Sequence, residues 1–325
     1  MREIPIALSE GIDGMMELFF PGRVTVGMVG IGKMGTPMSR NLRNGDYAVV
    51  GYDIRPEALE EVRGDGVLPA GSLSEVAEKA DVVITMLPDS DFVEEAVQGE
   101  NGLAGHMAPG SVLIDMSSSH PVRTKVLGEK MAAQGIRMLG APVWGGVAGA
   151  EAGTLAIMVG GPEELAEAAT PLLERLGKNI FHIGESIESG HMMKCINNYL
   201  SAANLLSSLE AVVLAVKAGL DPEKALDVFN AGTGMNSATN VKWPWFLLPR
   251  TFNSGFSVGL MFKDISTASD MAGDLEADLP LLDHVRKMFQ EGVERFGAEE
   301  DQTILLKMIE ERGRQIVGEP PKGNH

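Results

Sequence analysis

The sequence predicts a doubly wound α/β domain followed by an all-α domain. Three observations predict it. Short apolar runs alternate with helix-like stretches as far as about Gly184. Turn signals separate them closely, as strand–helix units with short loops require. From about Ser189 the alternation stops, and everything that follows reads as helix and loop. The 325 residues leave room for two domains.

Residues 1–22 read as an N-terminal extension. Its apolar stretch "GMMELFF" is short, and Glu3, Glu10, Asp13 and Glu17 interrupt the segment, so no signal peptide, transit peptide or membrane span is expected. The α/β domain is placed at 23–187. "VTVGMVG" from Val24 is its first buried strand and "KMGTPMSRNLRNG" its first helix, closed by Asn44-Gly45. "AVVGYD" is a strand, and "RPEALEEVRGDG" is a helix with Pro56 at its start. "DVVITMLP", "DFVEEAV", "SVLIDMS", "PVRTKVLGEKMAAQG" and "IRML" continue the alternation, and "TLAIMVGG", "PEELAEAATPLLERLG" and "NIFHIG" complete it. The all-α domain is placed at 188–317. It opens with a helix that is apolar on most faces and therefore buried. Helices after Pro222, around "VGLMFKDISTASDMAGDL", after Pro280 and in "DQTILLKMIEERGRQIV" follow. The tail 318–325, "GEPPKGNH", is expected to be disordered.

A formal charge of −18 opposes nucleic-acid and anionic-membrane partners. The single cysteine, Cys195, allows no intrachain disulfide, which fits a cytoplasmic protein. No metal site is expected, because the histidines are scattered without ligand spacing; His120 and His191 read as structural. No P-loop and no G-x-S-x-G is present.

"GIGKMG", Gly30 to Gly35, follows a strand and opens a helix, the context a dinucleotide fingerprint requires. Gly30 allows the tight turn, Gly32 the approach of the pyrophosphate, and Gly35 close helix–strand packing. Ile31, Lys33 and Met34 complete the loop. The helix N-terminus offers free N–H groups to phosphate. Asp53 ends the second strand, where an acid can bind the adenosine ribose and repel a 2′-phosphate. The expected cofactor is NAD in preference to NADP; Arg55 could soften that preference. Leu87, Pro88 and Ser118 lie beyond the ends of later strands, where the nicotinamide half would sit.

Lys194 and Asn198 stand one turn apart on the long apolar helix. Burying either without a partner is costly. The chemical reading is a Lys that donates and accepts a proton at a carbonyl receiving hydride, with the Asn orienting it or the substrate. A structural salt bridge or amide network is the alternative.

Four motifs occur in one order: "GMVGIGKMG" with Asp53, "APVWGGVAGAEAGTL", "GHMMKCINN" and "FKDISTA". In this combination the chain, from about residue 24 to 312, resembles the β-hydroxyacid dehydrogenase family, the group of 3-hydroxyisobutyrate dehydrogenase and tartronate semialdehyde reductase. The resemblance implies a Rossmann-type domain followed by an all-α domain, as in 6-phosphogluconate dehydrogenase. It implies Lys194 as catalytic acid/base beside Asn198, Lys263 reaching cofactor or substrate, and Asp264 anchoring that helix. It implies that Gly145 and Gly146 bind a substrate carboxylate through their N–H groups. It also points to a homodimer or homotetramer.

Two positions depart from the family pattern D-A-P-V-S-G-G. Gly140 replaces the acid and Trp144 replaces the serine. The expected activity is therefore NAD-dependent hydride transfer on a small β-hydroxy acid or its oxidised form, with specificity altered at Trp144. An imine reductase of the same fold and a non-catalytic dinucleotide sensor are the rivals.

Overall fold

The structure, a computed structural model, describes residues 17–318. The tail beyond Gly318 and the first sixteen residues lie outside the described residues, and with them the expectation of a disordered tail. The chain divides into two compact units, Met1–Lys194 and Cys195–His325. The division falls inside a helix, beyond the boundary expected near residue 187, because the first turns of that helix pack on the sheet.

Among the described residues the first unit holds one sheet of nine strands: β1 (Thr25–Val29), β2 (Ala48–Tyr52), β3 (Leu68–Pro69), β4 (Val82–Thr85), β5 (Val112–Asp115), β6 (Arg137–Gly140), β7 (Val143–Trp144), β8 (Leu155–Gly160) and β9 (Gly177–Gly184). The order is β3-β2-β1-β4-β5-β6-β8-β7, with β9 on β8. The run from β3 to β6 is parallel, whereas β8 is antiparallel to β6 and β7. The side on which successive strands are added to the sheet reverses between β1 and β4, and ligands of such sheets bind beyond the strand ends at that switch point. Apolar side chains from both sheet faces build the core; Val26, Met28, Ile84 and Ile114 are fully buried. The helices are α1 (Gly35–Asn44), α2 (Pro56–Arg63), α3 (Leu73–Lys79), α4 (Ser90–Gln98), α5 (Pro121–Ala132), α6 (Gly146–Ala152) and α7 (Glu163–Leu173). The described end of the extension belongs to this unit. Glu17–Phe19 form a 3₁₀ turn, Phe19 is fully buried, and its carbonyl accepts from the Tyr47 hydroxyl at 2.6 Å.

Helix α8 (Ser189–Lys217) spans the division. By length and composition it could cross a membrane, but half of its most apolar window is buried inside the protein. From Cys195 onward it forms the core of the second unit with α9 (Pro222–Ala231), α10 (Val258–Asp274), α11 (Pro280–Phe296) and α12 (Leu305–Gly313). Between α9 and α10 the chain runs as a π-helix, Ala238–Leu247, with Pro244 inside it. Trp243 is fully buried there and donates its indole N–H to Ser208 Oγ at 3.0 Å.

Candidate active site

The glycine loop has the shape that a dinucleotide needs. Gly30 has φ +97°, and a Cβ there would lie 2.4 Å from the Met86 carbonyl oxygen. A Cβ on Gly35 would lie 1.8 Å from the Gly30 carbonyl oxygen, so helix and loop can touch only through glycine. Above Gly32 the space is open, with nothing nearer than Arg55 Nη2 at 3.8 Å. That opening, at the N-terminus of α1 and the β1/β4 switch point, fits a pyrophosphate. Ile31 is buried, Met34 is half-buried and Lys33 is exposed.

Asp53 follows β2, and its side chain is only 8% exposed. Its carboxylate accepts from Ile31 N at 2.9 Å and from Arg55 N at 2.9 Å. The Arg55 guanidinium lies on the same group, with Nε 3.1 Å from Oδ1, and is itself exposed. Asp53, which was expected to face the ribose, and Arg55, which was expected to soften its effect, are therefore ion-paired with each other. Leu87 is half-buried and fixed by its amide to Ser117 Oγ at 2.9 Å, and Pro88 is exposed. Ser118 is half-buried.

The start of α8 is tied to the sheet by contacts that only small residues permit. A Cβ on Gly190 would meet the carbonyl oxygens of Met158 and Gly140 at 2.2 and 2.4 Å. His191, fully buried, has Nε2 3.1 Å from the Ser117 carbonyl oxygen and 3.5 Å from Asp115 Oδ2, and Nδ1 3.3 Å from Thr124 Oγ1. Asp115 also accepts from Thr85 Oγ1 at 2.9 Å, Ser119 Oγ at 2.6 Å and Ser117 N at 3.0 Å. One turn later Lys194, 6% exposed, donates from Nζ to the Val143 carbonyl at 2.8 Å. The proposed proton carrier is thus held by the backbone just before Trp144. The sequence did not reveal Asp115, Thr85, Ser119 and Thr124 as a network. A carboxylate closing a buried strand, followed by serines, was the available signal.

Trp144 is 54% exposed, so its indole lies outside the core of its unit. Gly145 has φ +133° and Gly146 φ +61°, backbone that favours glycine, and α6 begins at Gly146. The first amides of α6 have no intrahelical acceptor. In the second unit Asn198, buried, donates from Nδ2 to Asp264 Oδ2 at 2.6 Å. Lys263 Nζ lies 3.2 Å from Asp264 Oδ1. Asp264 thus holds both residues. Lys194 and Asn198 share a helix face, but each is held by a different partner.

These features define a dinucleotide-binding fold with one lysine, Lys194, buried against its sheet. Residues 25–184 match the NAD binding domain of 6-phosphogluconate dehydrogenase. Residues 189–309 match the family described as NAD-binding of NADP-dependent 3-hydroxyisobutyrate dehydrogenase. The chain is 33% identical to 2-(hydroxymethyl)glutarate dehydrogenase of Eubacterium barkeri, over 89% of its own length and 95% of that protein. It is 38% identical to 3-hydroxyisobutyrate dehydrogenase of Pseudomonas aeruginosa, over 81% of its own length and 90% of that protein. The solved structure of Mycobacterium tuberculosis 3-hydroxyisobutyrate dehydrogenase with L-serine is 32% identical, with a TM-score of 0.81, covering 88% of this chain and 99% of that one. The chain belongs to the β-hydroxyacid dehydrogenase family. Its fold is the expected Rossmann-type domain followed by an all-α domain, and its cofactor is NAD.

Proposed function

We propose that this dehydrogenase interconverts the hydroxyl of a small β-hydroxy acid and the matching semialdehyde or keto acid, with Lys194 as general acid/base. The observation that carries the reading is the buried Lys194, held by the Val143 carbonyl and one turn from Asn198. Bound NAD(H) accepts or supplies the hydride. Lys194 takes the hydroxyl proton as the alcohol is oxidised and returns it to the oxygen on reduction. Asn198, fixed by Asp264, orients the reacting group, and Lys263 adds positive charge from α10. Amides at Gly145 and Gly146 bind the carboxylate, while the Trp144 indole faces the carbon skeleton. Gly30, Gly32 and Gly35 cradle the pyrophosphate, Asp53 the adenosine ribose, and Leu87, Pro88 and Ser118 the nicotinamide side.

Absorbance of NADH, followed with panels of β-hydroxy acids and of imines, tests the reading. Turnover of hydroxy acids is expected. Lys194→Ala should lower kcat by roughly 10²- to 10⁴-fold while NAD still binds. Undiminished kcat in that variant removes the assignment, and loss of NAD binding makes Lys194 structural.

We also propose a homodimer or homotetramer built through the helical unit, and a cytoplasmic location in keeping with the one free, buried cysteine. Leu200, Leu214, Val228 and Trp245 are each more than half exposed on that unit, an apolar surface that a second copy would cover. Light scattering at micromolar concentration should give a mass of two or four chains; a monomer refutes it.

A further inference from the structure

Lys242 lies in the π-helix Ala238–Leu247, half-buried, beside the fully buried Trp243. Its Nζ has one neutral hydrogen-bond acceptor, Gln302 Oε1 at 3.2 Å, and Gln302 is itself buried. Among the described residues no carboxylate stands within ion-pair distance of it. The acid that acts on it, Asp301, is already engaged. Its carboxylate accepts from Ser254 Oγ, Gly255 N, and both N and Oγ1 of Thr303. Burial outweighs Asp301 and pushes the Lys242 ammonium down to about 8 from its ordinary 10.5. A partly buried ammonium whose one hydrogen-bond acceptor is neutral gains by pairing with an anion. The backbone around it is also costly. π-helical turns are rare and cluster at functional sites, and Arg250 and Phe252 just beyond have positive φ.

The position of Lys242 within its unit relates it to the reacting groups. Gln302 N donates to the Phe256 carbonyl, and Asp301 bridges Ser257, the N-cap of α10. Seven residues along α10 stands Asp264, which holds Asn198 and Lys263. At about 1.5 Å per residue, the Lys242 anchor is offset from Asp264 by about 10 Å along the helix. A lysyl stem and a short carbon chain together cover that span. Lys242 thus anchors beside the N-terminal end of α10, and Lys263 stands further along that helix.

We propose that Lys242 binds a second, distal carboxylate, so that the substrate class is the hydroxy dicarboxylic acids rather than hydroxy monoacids. This rests on the hydroxy-acid reading of the site, and the test separates the two. Glutarate and butyrate serve as probes, titrated calorimetrically into the wild-type protein saturated with NADH. Glutarate should bind roughly 10- to 100-fold more tightly than butyrate, the effect of one hydrogen-bonded charge pair. In Lys242→Met the ratio should fall to near one, and Lys242→Arg should restore most of it. Equal binding of the two acids by the wild type overturns the proposal, as does an unchanged ratio in Lys242→Met. Turnover of 2-(hydroxymethyl)glutarate and 3-hydroxyisobutyrate is read separately. A diacid preference without turnover of either keeps Lys242 as an anion site and removes the dehydrogenase reading.

Discussion

We propose that Asp53 and Arg55 set cofactor choice as a pair. Asp53 is the buried member, fixed by Ile31 N, whereas the Arg55 guanidinium that pairs with it is exposed. A 2′-phosphate would meet the fixed negative charge first, so kcat/KM should favour NAD over NADP. Asp53→Ser should remove the repulsion and leave Arg55 to pair with the phosphate, reversing or levelling the preference. A variant as NAD-selective as the wild type shows that some other group discriminates. Lys242 makes a prediction about stability instead. Its folded pKa, about 8, lies below the ordinary 10.5. Below pH 8 both folded and unfolded chains carry the charge, and the desolvation cost is complete. Between about 8 and 10.5 the unfolded chain binds a proton that the folded chain has lost, so this group's contribution to stability rises with pH. Lys242→Met should therefore raise Tm most below pH 8, with the gain shrinking toward pH 10. A gain that stays constant with pH would mean that the ammonium is not desolvated.

At the level of one element, the first turn of α8 explains the departure at Gly140. A Cβ at that position would lie 2.4 Å from the Ile187 carbonyl oxygen and 2.9 Å from His191 Nδ1. The acid usual in the family has no room there, and the His191 ring supplies the polar contacts of that corner. Gly140→Ala should cost on the order of 1–3 kcal/mol through overpacking. His191→Ala should cost about as much by leaving Asp115 short of a partner. Because the added methyl would press on the His191 ring, the double variant should lose less than the two single losses together in urea melts. Strict additivity would show that Ile187 alone sets the clash. This corner was not legible in the sequence, because Asp115 and His191 are far apart in the chain and nothing local marks them as neighbours. The strands and helices were legible, since period and punctuation are local properties. So was the glycine loop, whose spacing is itself the geometry. Lys194 and Asn198 could be read as sharing a face, yet their separate partners, Val143 and Asp264, come from tertiary folding. The π-helix was hidden for a similar reason. Its apolar residues, Trp243 and Trp245 among them, also suit an ordinary helix, and only packing selects the wider turn.

Across the whole molecule, α8 is one helix with two allegiances. Its residues up to Lys194 are held by the sheet unit, through Gly190, His191 and the Val143 carbonyl. From Cys195 its side chains enter the second core, where Ala202, Leu205, Leu209 and Val212 are fully buried. A ligand that binds only the folded first unit stabilises that unit by about 2.7 kcal/mol at a concentration of 100 Kd. Amides that exchange through opening of that unit should then slow by roughly 100-fold. NAD should accordingly protect residues 189–194 strongly in hydrogen exchange, together with the strands beside them. Residues 205–217 exchange through opening of the helical core, so their protection should change little when NAD alone is added. The contrast would place the proposed acid/base lysine in the part of the helix whose order depends on cofactor, so that NAD binding would fix Lys194 before substrate arrives. Equal protection along the whole of α8 would refute this, because the two ends would then open as a single cooperative body.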